Sequence, residues 1–262
     1  MTFLLQEERR REICETVNSN GKITIGEICS LYGVSEMTAR RDLRDLDREG
    51  LLRRVHGGAV TGMGRSYEPS LMLRANLVPE IKQIIGKKAA ELVQDGDSIA
   101  LDTGTTNLEL VRAIKDRRNL TIVTSSLPIA NEVMNCFSLE NQVRLILTGG
   151  IVRPGEFSMV GDISCNTFRD FHVDKAFIGV GGISLKDGLT EYNIEDASVK
   201  KILIESAQVR IVLADSTKMG RTTFASVAPL SSIDRLVTDS SISAEMLDEL
   251  TNIGIDVVIA ET

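Results

Sequence analysis

Met37, Arg41, Arg44 and Arg48 recur at helical spacing within one short stretch, with Thr38 and Arg40 beside them. Positions three and four apart share one face of a helix. Ala39, Leu43 and Leu46 repeat on the opposite side. A guanidinium can pair bidentately with a guanine edge or hold a phosphate, so a helix that is apolar behind and cationic in front has the chemistry of a major-groove reader. The same stripe would also serve as a plain solvated face, because Asp42, Asp45, Asp47 and Glu49 are near enough to neutralise part of its charge. A second group of small polar residues has a different chemistry. Asp102-Thr103-Gly104-Thr105-Thr106 combines a glycine turn, hydroxyls and the start of a helical pattern, which suits a phosphate cradle. Any strand-to-helix turn also favours Gly and Thr.

The elements around the arginine stripe fit its use. A first helix is expected from about Gln6 to Asn18, with Ile13, Cys14 and Val17 inward, ending at Asn20-Gly21. Thr24 and Glu27 form a capping box for a second helix, and Tyr32-Gly33-Val34 is a tight turn. Ser35 caps the third helix, expected to reach Glu49 before Gly50 stops it. Residues 51–60 read as a β-hairpin with a Gly57-Gly58 tip, from which Arg53, Arg54 and His56 project. A recognition helix followed by a basic hairpin is a winged helix-turn-helix, whose wing adds phosphate or minor-groove contacts.

Residues 61–78 mix Gly, Ser and Pro without periodicity and read as a linker. From Pro79 onward the chain alternates short apolar runs, Gly/Ser/Thr turns and helical patterns, as in Ile99–Leu101, Leu120–Val123, Val143–Leu147, Ala176–Val180 and Arg210–Ala214. Repeated strand–loop–helix units imply a doubly wound, mostly parallel α/β domain over residues 79–262, with ligands beyond the carboxyl ends of its strands. There the sequence places the 102–106 loop, Ser125 and Ser126, Gly149-Gly150, Arg153 and Lys218. Ser126 could equally cap its helix, and Lys218 could be solvated.

The formal charge of −7 at first argues against a polyanion as partner. Residues 1–60, however, hold ten Lys/Arg and ten Asp/Glu, so the whole excess lies in the remainder. A neutral segment still binds DNA if its cations share a face. Cys14, Cys29, Cys136 and Cys165 have no metal-ligand spacing, and His56 and His172 stand alone, so neither metal nor cofactor is expected. The apolar start, Phe3-Leu4-Leu5, is too short for a leader, which points to a cytoplasmic protein with no membrane partner.

Ser35-x-x-Thr38-Ala39-Arg40-Arg41-Asp42-Leu43 and Leu52-x-Arg54-Val55-His56-Gly57-Gly58-Ala59 resemble the N-terminal signature of the DeoR family of bacterial transcription regulators. The family usually has Ile or Val at the place of Ala39. Leu101-Asp102-x-Gly104-Thr105-Thr106, Val160-Gly161, Gly188-Leu189-Thr190 and Leu213-Ala214-Asp215-Ser216-x-Lys218 resemble its sensor domain, where Asn commonly stands in place of Ser125. The resemblance implies a fold related to ribose-phosphate isomerases and a sugar phosphate as effector. Arg74 and Lys82 match a basic pair that the family often carries before the sensor core. The expected protein is then a homodimeric or homotetrameric repressor of a carbohydrate-utilisation operon, bound to double-stranded operator DNA and released or retained by a phosphorylated sugar or related metabolite. The alternative is a sugar-phosphate isomerase with a DNA-binding appendage, using Glu191, Glu195 or Asp196 as the base. The acidic loop of those enzymes is replaced by Gly179-Val180-Gly181-Gly182, which favours a non-enzyme.

Overall fold

The computed structural model describes residues 6–48, 51–60 and 64–261. They fall into two compact units that meet in sequence between Pro69 and Ser70.

In the first unit α1 (Gln6–Asn20) runs two residues beyond its expected end. It buries Ile13, Cys14 and Val17. After β1 (Lys22–Thr24), α2 (Ile25–Tyr32) starts at the anticipated capping box: Thr24 Oγ1 accepts from Glu27 N at 3.2 Å, and Glu27 Oε2 accepts from Thr24 N at 2.7 Å. Gly33, in the left-handed region, closes α2 and donates to Cys29 O, a role that excludes most side chains. Helix α3 (Glu36–Arg48) lays Ala39, Leu43 and Leu46 into the core beside Ile13, Val17, Ile28 and Leu52. The wing is β2 (Arg53–Val55) and β3 (Gly58–Val60), and β1 joins it to make an antiparallel sheet in the order β1-β3-β2.

The tip of the wing corrects the expectation. His56 and Gly57 make the turn, and Gly58 belongs to β3, where it pairs with Thr24 of β1. A Cβ on Gly58 would stand 2.1 Å from Ile23 O, so the second glycine is there for close strand approach.

The second unit opens with α4 (Leu71–Ala75), capped by Ser70, and α5 (Pro79–Ala90). Residues 70–78, expected to be linker, therefore fold with the larger unit, while 61–63 lie outside the described residues. There follow β4 (Ser98–Leu101), α6 (Thr105–Ala113), β5 (Thr121–Thr124), α7 (Leu127–Cys136), β6 (Arg144–Leu147), a short hairpin of β7 (Ile151–Val152) and β8 (Met159–Val160), α8 (Asp162–Arg169) and β9 (Val173–Ile178). The remainder is β10 (Gly182–Ser184), β11 (Gly188–Glu191), α9 (Ile194–Ser206), β12 (Ala207–Leu213), β13 (Ala225–Ala228), β14 (Arg235–Asp239), α10 (Ala244–Asn252) and β15 (Asp256–Ala260).

Seven strands form one wholly parallel sheet in the order β15-β14-β12-β9-β4-β5-β6. Strand alternation builds two cores. Ile99, Leu101, Phe177 and Val237 pack with α5, α6 and α7, while Ala100, Ala176, Val212 and Leu236 pack with α8, α9 and α10. The chain is thus doubly wound, with its reversal between β4 and β9. A small antiparallel sheet, β10-β11-β13, was not anticipated: its strands are three or four residues long, too short for a period to show. No helix of the described residues is long and apolar enough to cross a membrane.

Candidate functional site

On α3 the outward stripe is open. Met37 is 81% exposed, and Arg41 and Arg44 are exposed and make no ion pair among the described residues. Ser35 Oγ accepts from Thr38 N at 3.3 Å and lies 3.0 Å from Thr38 Oγ1, so the cap also fixes Thr38. Arg40 differs from its neighbours: Glu36 accepts from it at 2.5 and 3.1 Å on the same helix, which occupies a cation expected to face DNA. The side chain of Arg48 lies outside what is described. On the wing Arg53, Arg54 and His56 are exposed, and Arg54 N donates to Asp47 Oδ1 at 2.9 Å, tying the wing to α3.

Sequence reasoning missed what aims α3. Asp42, read as a neutralising surface acid, is 1% exposed. It accepts from Arg9 Nε at 2.7 Å and Arg10 Nε at 3.4 Å, and Arg10 also pairs with Asp45. Two carboxylates of α3 are thus used against α1. They do not quench Arg41 or Arg44. The signal for this was available: Asp42 sits next to Leu43 and three residues after Ala39, on the buried side.

In the larger unit the strand order reverses between β4 and β9, and the crevice beyond a reversal is where doubly wound sheets bind ligands. The 102–104 loop lies there. Helix α6 begins at Thr105, so Thr105 and Thr106 form its first turn. Its N-cap, Gly104, has φ 139°, a conformation reserved for glycine, and no side chain caps it. The first backbone N–H of the helix to find a carbonyl is that of Leu108, which donates to Gly104 O. Thr103 Oγ1 and Asn107 Oδ1 are buried without partners. The uncapped helix start presents backbone N–H donors to an anion and the Thr103 hydroxyl can add one, whereas Asn107 Oδ1 can only accept.

Behind that loop stands a buried charge cluster that the sequence did not reveal. Lys200, 2% exposed on α9, contacts Asp102 Oδ2 and lies 3.3 Å from Glu191 Oε2. Asp102 Oδ2 also accepts from Gly179 N at 2.9 Å, joining the β4 and β9 ends. Burial pushes the Asp102 carboxyl up, with Lys200 opposing it. Burial would lower Lys200, but Asp102 and Glu191 outweigh it and hold the ammonium above its ordinary value.

The other expected effector residues divide. Ser125 is buried, and its carbonyl accepts from Met159 N at 2.7 Å; Ser126 caps α7 through Ile129 N. Gly149 and Gly150 have positive φ, and a Cβ on Gly150 would meet Val160 O at 2.6 Å, so they serve the β7–β8 hairpin. Arg153 is no free cation: it pairs with Asp196, which also accepts from Ser158 Oγ at 3.2 Å. Arg74 likewise pairs with Glu156. Lys82 Nζ donates to Arg74 O and, at 2.6 Å, to Leu77 O. Its pKa is lowered to about 8 by burial first, with Lys218 and Arg74 adding to the shift and Asp215 opposing it. Lys218 makes no ion pair among the described residues and sits 6.0 Å from the ring of Tyr192, with Arg221 at 5.4 Å. Of the three carboxylates considered for an isomerase, Glu195 is exposed, Asp196 is locked by Arg153, and Glu191 remains by the crevice.

The comparisons with known proteins agree along the chain. A model of the DeoR-like helix-turn-helix domain matches residues 9–62, and one of the DeoR C terminal sensor domain matches residues 78–240. The HTH-type transcriptional repressor GlcR of Bacillus subtilis is 34% identical over 261 residues, covering 98% of each chain. The glycerol-3-phosphate regulon repressor of Escherichia coli is 29% identical over 247 residues, 94% of this chain and 96% of that one. Among solved structures, ribose 5-phosphate isomerase A of Methanocaldococcus jannaschii aligns over 54% of each chain, with 20% identity and a TM-score of 0.40.

Proposed function

Because the chain belongs to the DeoR family of DNA-binding transcription regulators, we propose that it is a repressor of a carbohydrate-utilisation operon whose hold on its operator is set by a phosphorylated sugar or related metabolite. The observation that carries the DNA half is the exposed stripe of Met37, Arg41 and Arg44 on a helix whose acids are turned to other work. Arg41 and Arg44 enter the major groove, and Arg53, Arg54 and His56 follow the backbone from the wing. Two or four copies bind repeated half-sites.

The effector half rests on the uncapped start of α6 at the strand reversal. Backbone N–H groups at Gly104–Asn107 and the hydroxyls of Thr105 and Thr106 hold the phosphate, and Lys218 supplies charge beside it. A route for the response runs through side chains already in place. Asp102 is joined to Lys200 on α9, and Asp196 on the same helix holds Arg153 and Ser158 of the β7–β8 hairpin. That hairpin grips the 70–78 segment through Glu156 with Arg74 and through Gly155 O with Leu71 N at 3.1 Å. A ligand that prefers one arrangement of this chain shifts operator affinity by its own differential affinity.

A thermal-shift titration with inorganic phosphate and pentose or hexose phosphates tests the effector site, since ligands of the native state raise the melting temperature. Thr105→Ala should keep operator binding and lose the upward shift. A normal ligand response in that variant would remove the α6 start from the site. Steady turnover of a pentose phosphate by the purified protein would instead favour the isomerase reading.

A further inference from the structure

Strand β6 is one edge of the seven-stranded sheet, yet it lacks the features that keep an edge alone in water. Exposed edges are commonly blunted by charge along the strand, by proline or by a bulge. β6 reads Arg-Leu-Ile-Leu and keeps unbroken register with β5. Arg144 N and Thr148 N donate to Leu120 O and Thr124 O at 2.8 and 3.1 Å. In a parallel ladder alternate residues bond to the same neighbour, so the N–H and C=O groups of Leu145 and Leu147 face the open side.

Apolar surface gathers at that edge. Of the fifteen large hydrophobic side chains exposed among the described residues, seven lie between Met134 and Ile163, whereas α10 and β15 at the opposite edge expose only Ile253 nearby in sequence. Leu147, Ile151 and Ile163 adjoin one another at the end of β6: a Cβ on Gly149 would stand 3.6 Å from Ile163 Cγ2, and one on Gly161 would stand 3.9 Å from Ile151 Cδ1. A patch of this kind marks an association surface. Its two ends carry opposite charges. Arg144 opens β6 and Asp162 opens α8; both are exposed, and neither makes an ion pair among the described residues. Alternation places Arg144, Ile146 and Thr148 on one face of the sheet. That face is the one α8 covers, since Ile146 packs into the core that holds Phe168. Just past β6, Thr148 Oγ1 lies 3.0 Å from Ser164 Oγ, and Thr148 O accepts from Thr167 Oγ1 at 3.1 Å, so α8 sits beside the carboxyl end of the strand.

We propose that β6 pairs with β6 of a second copy of this chain, antiparallel about a twofold axis perpendicular to the sheet. Leu145 then exchanges backbone hydrogen bonds with Leu147 of the partner subunit, and Ile146 meets its own copy at the axis. Arg144 stands opposite Thr148 of the partner subunit, on the face where α8 carries Asp162, so cation and acid meet twice. Leu147, Ile151 and Ile163 leave water at both ends. The occupant is a second copy because the surface complements itself: apolar along its length, positive at one end and negative at the other, as an isologous contact requires. The inference deepens the reading that two or four copies share an operator, by naming the sensor surface that joins them.

Sedimentation velocity of the full chain, without DNA and across a dilution series, tests it. The wild type should be a dimer or a multiple of one. Arg144→Glu and Leu147→Lys should each weaken association about tenfold or more, because like charges or a buried ammonium then face each other across the axis. In a tetramer these variants should stop at half the mass. Arg144→Glu combined with Asp162→Arg should return association to within about threefold of the wild type, a rescue that only reciprocal contact between the two positions gives. Melting curves verify folding, and should Leu147→Lys fail to fold, the charge reversal and its rescue decide. A monomeric wild type overturns the proposal. So do folded variants that associate like the wild type, or a double reversal no better than Arg144→Glu alone. Operator binding, followed separately by mobility shift, keeps the two readings apart: its absence in an associated wild type would overturn the regulator reading and leave the interface standing.

Discussion

In the winged-helix unit the side chains of Arg41, Arg44, Arg53 and Arg54 are exposed and make no ion pair among the described residues, whereas in the sensor Lys200, Arg153 and Arg74 are largely enclosed and each is held by an acid. Exposed cations cost little to maintain and act at a distance on a polyanion, so their contribution appears in affinity and in salt dependence. Enclosed cations must be compensated within the fold, so their first effect is on stability. The same residue types therefore do different work according to burial. Asp42 marks the boundary between the two regimes: it is a buried acid of the DNA-binding unit whose pairing with Arg9 and Arg10 leaves the outer stripe uncompensated.

The contrast is broken most directly at Lys200. Lys200→Met would strand Asp102 and Glu191 in the interior, and removal of one partner from a buried pair costs about 3–5 kcal/mol. Urea unfolding should register that loss in full. A midpoint equal to the wild type would mean that the cluster is not enclosed in solution. At the exposed end, Arg41→Ala should weaken specific operator binding by about 1–3 kcal/mol if it reads a base. Its melting temperature should not move. Unaltered affinity in a mobility-shift titration would take Arg41 off the interface. Arg53→Ala should weaken binding evenly across sequences and lower the salt slope by about 1, as for the loss of one phosphate contact. A selective loss at one operator position would instead make it a base reader.

A pH-dependent contrast concerns Lys82, whose pKa burial lowers to about 8. Below that pH both the folded and unfolded chains carry the charge, and the cost of enclosing it is fully present. Between about 8 and the ordinary 10.5 the folded chain has shed a proton that the unfolded chain keeps, so stability rises with pH across this window. Relative to Lys82→Met, which does not titrate, the wild type should therefore gain melting temperature from pH 8 upward. A constant difference would show that Lys82 is solvated like the arginines of the wing.

Much of this was legible in the residues, and the misses share a cause. Periodicity placed Ala39, Leu43 and Leu46 inward and Arg41 and Arg44 outward because on one helix the spacing alone decides the face. The capping box at Thr24 and the parallel strands were legible for the same local reason. Gly58 was read as a turn residue, since a glycine needed for close approach looks the same in sequence as one needed for φ. The ion pairs of Arg153 and Arg74, expected at the effector site, are not legible in the sequence because their acids, Asp196 and Glu156, lie 43 and 82 residues away along the chain.

The amino-acid order by itself determined the three helices of the first unit, the parallel strands of the second and their inward faces, for these follow from contacts within a few residues. Which charges survive unpaired was decided only in three dimensions. The Coulomb partner of a side chain is whichever group the packing brings within a few ångströms, and Lys200 finds Asp102 nearly a hundred residues away because α9 crosses behind the reversal of the sheet.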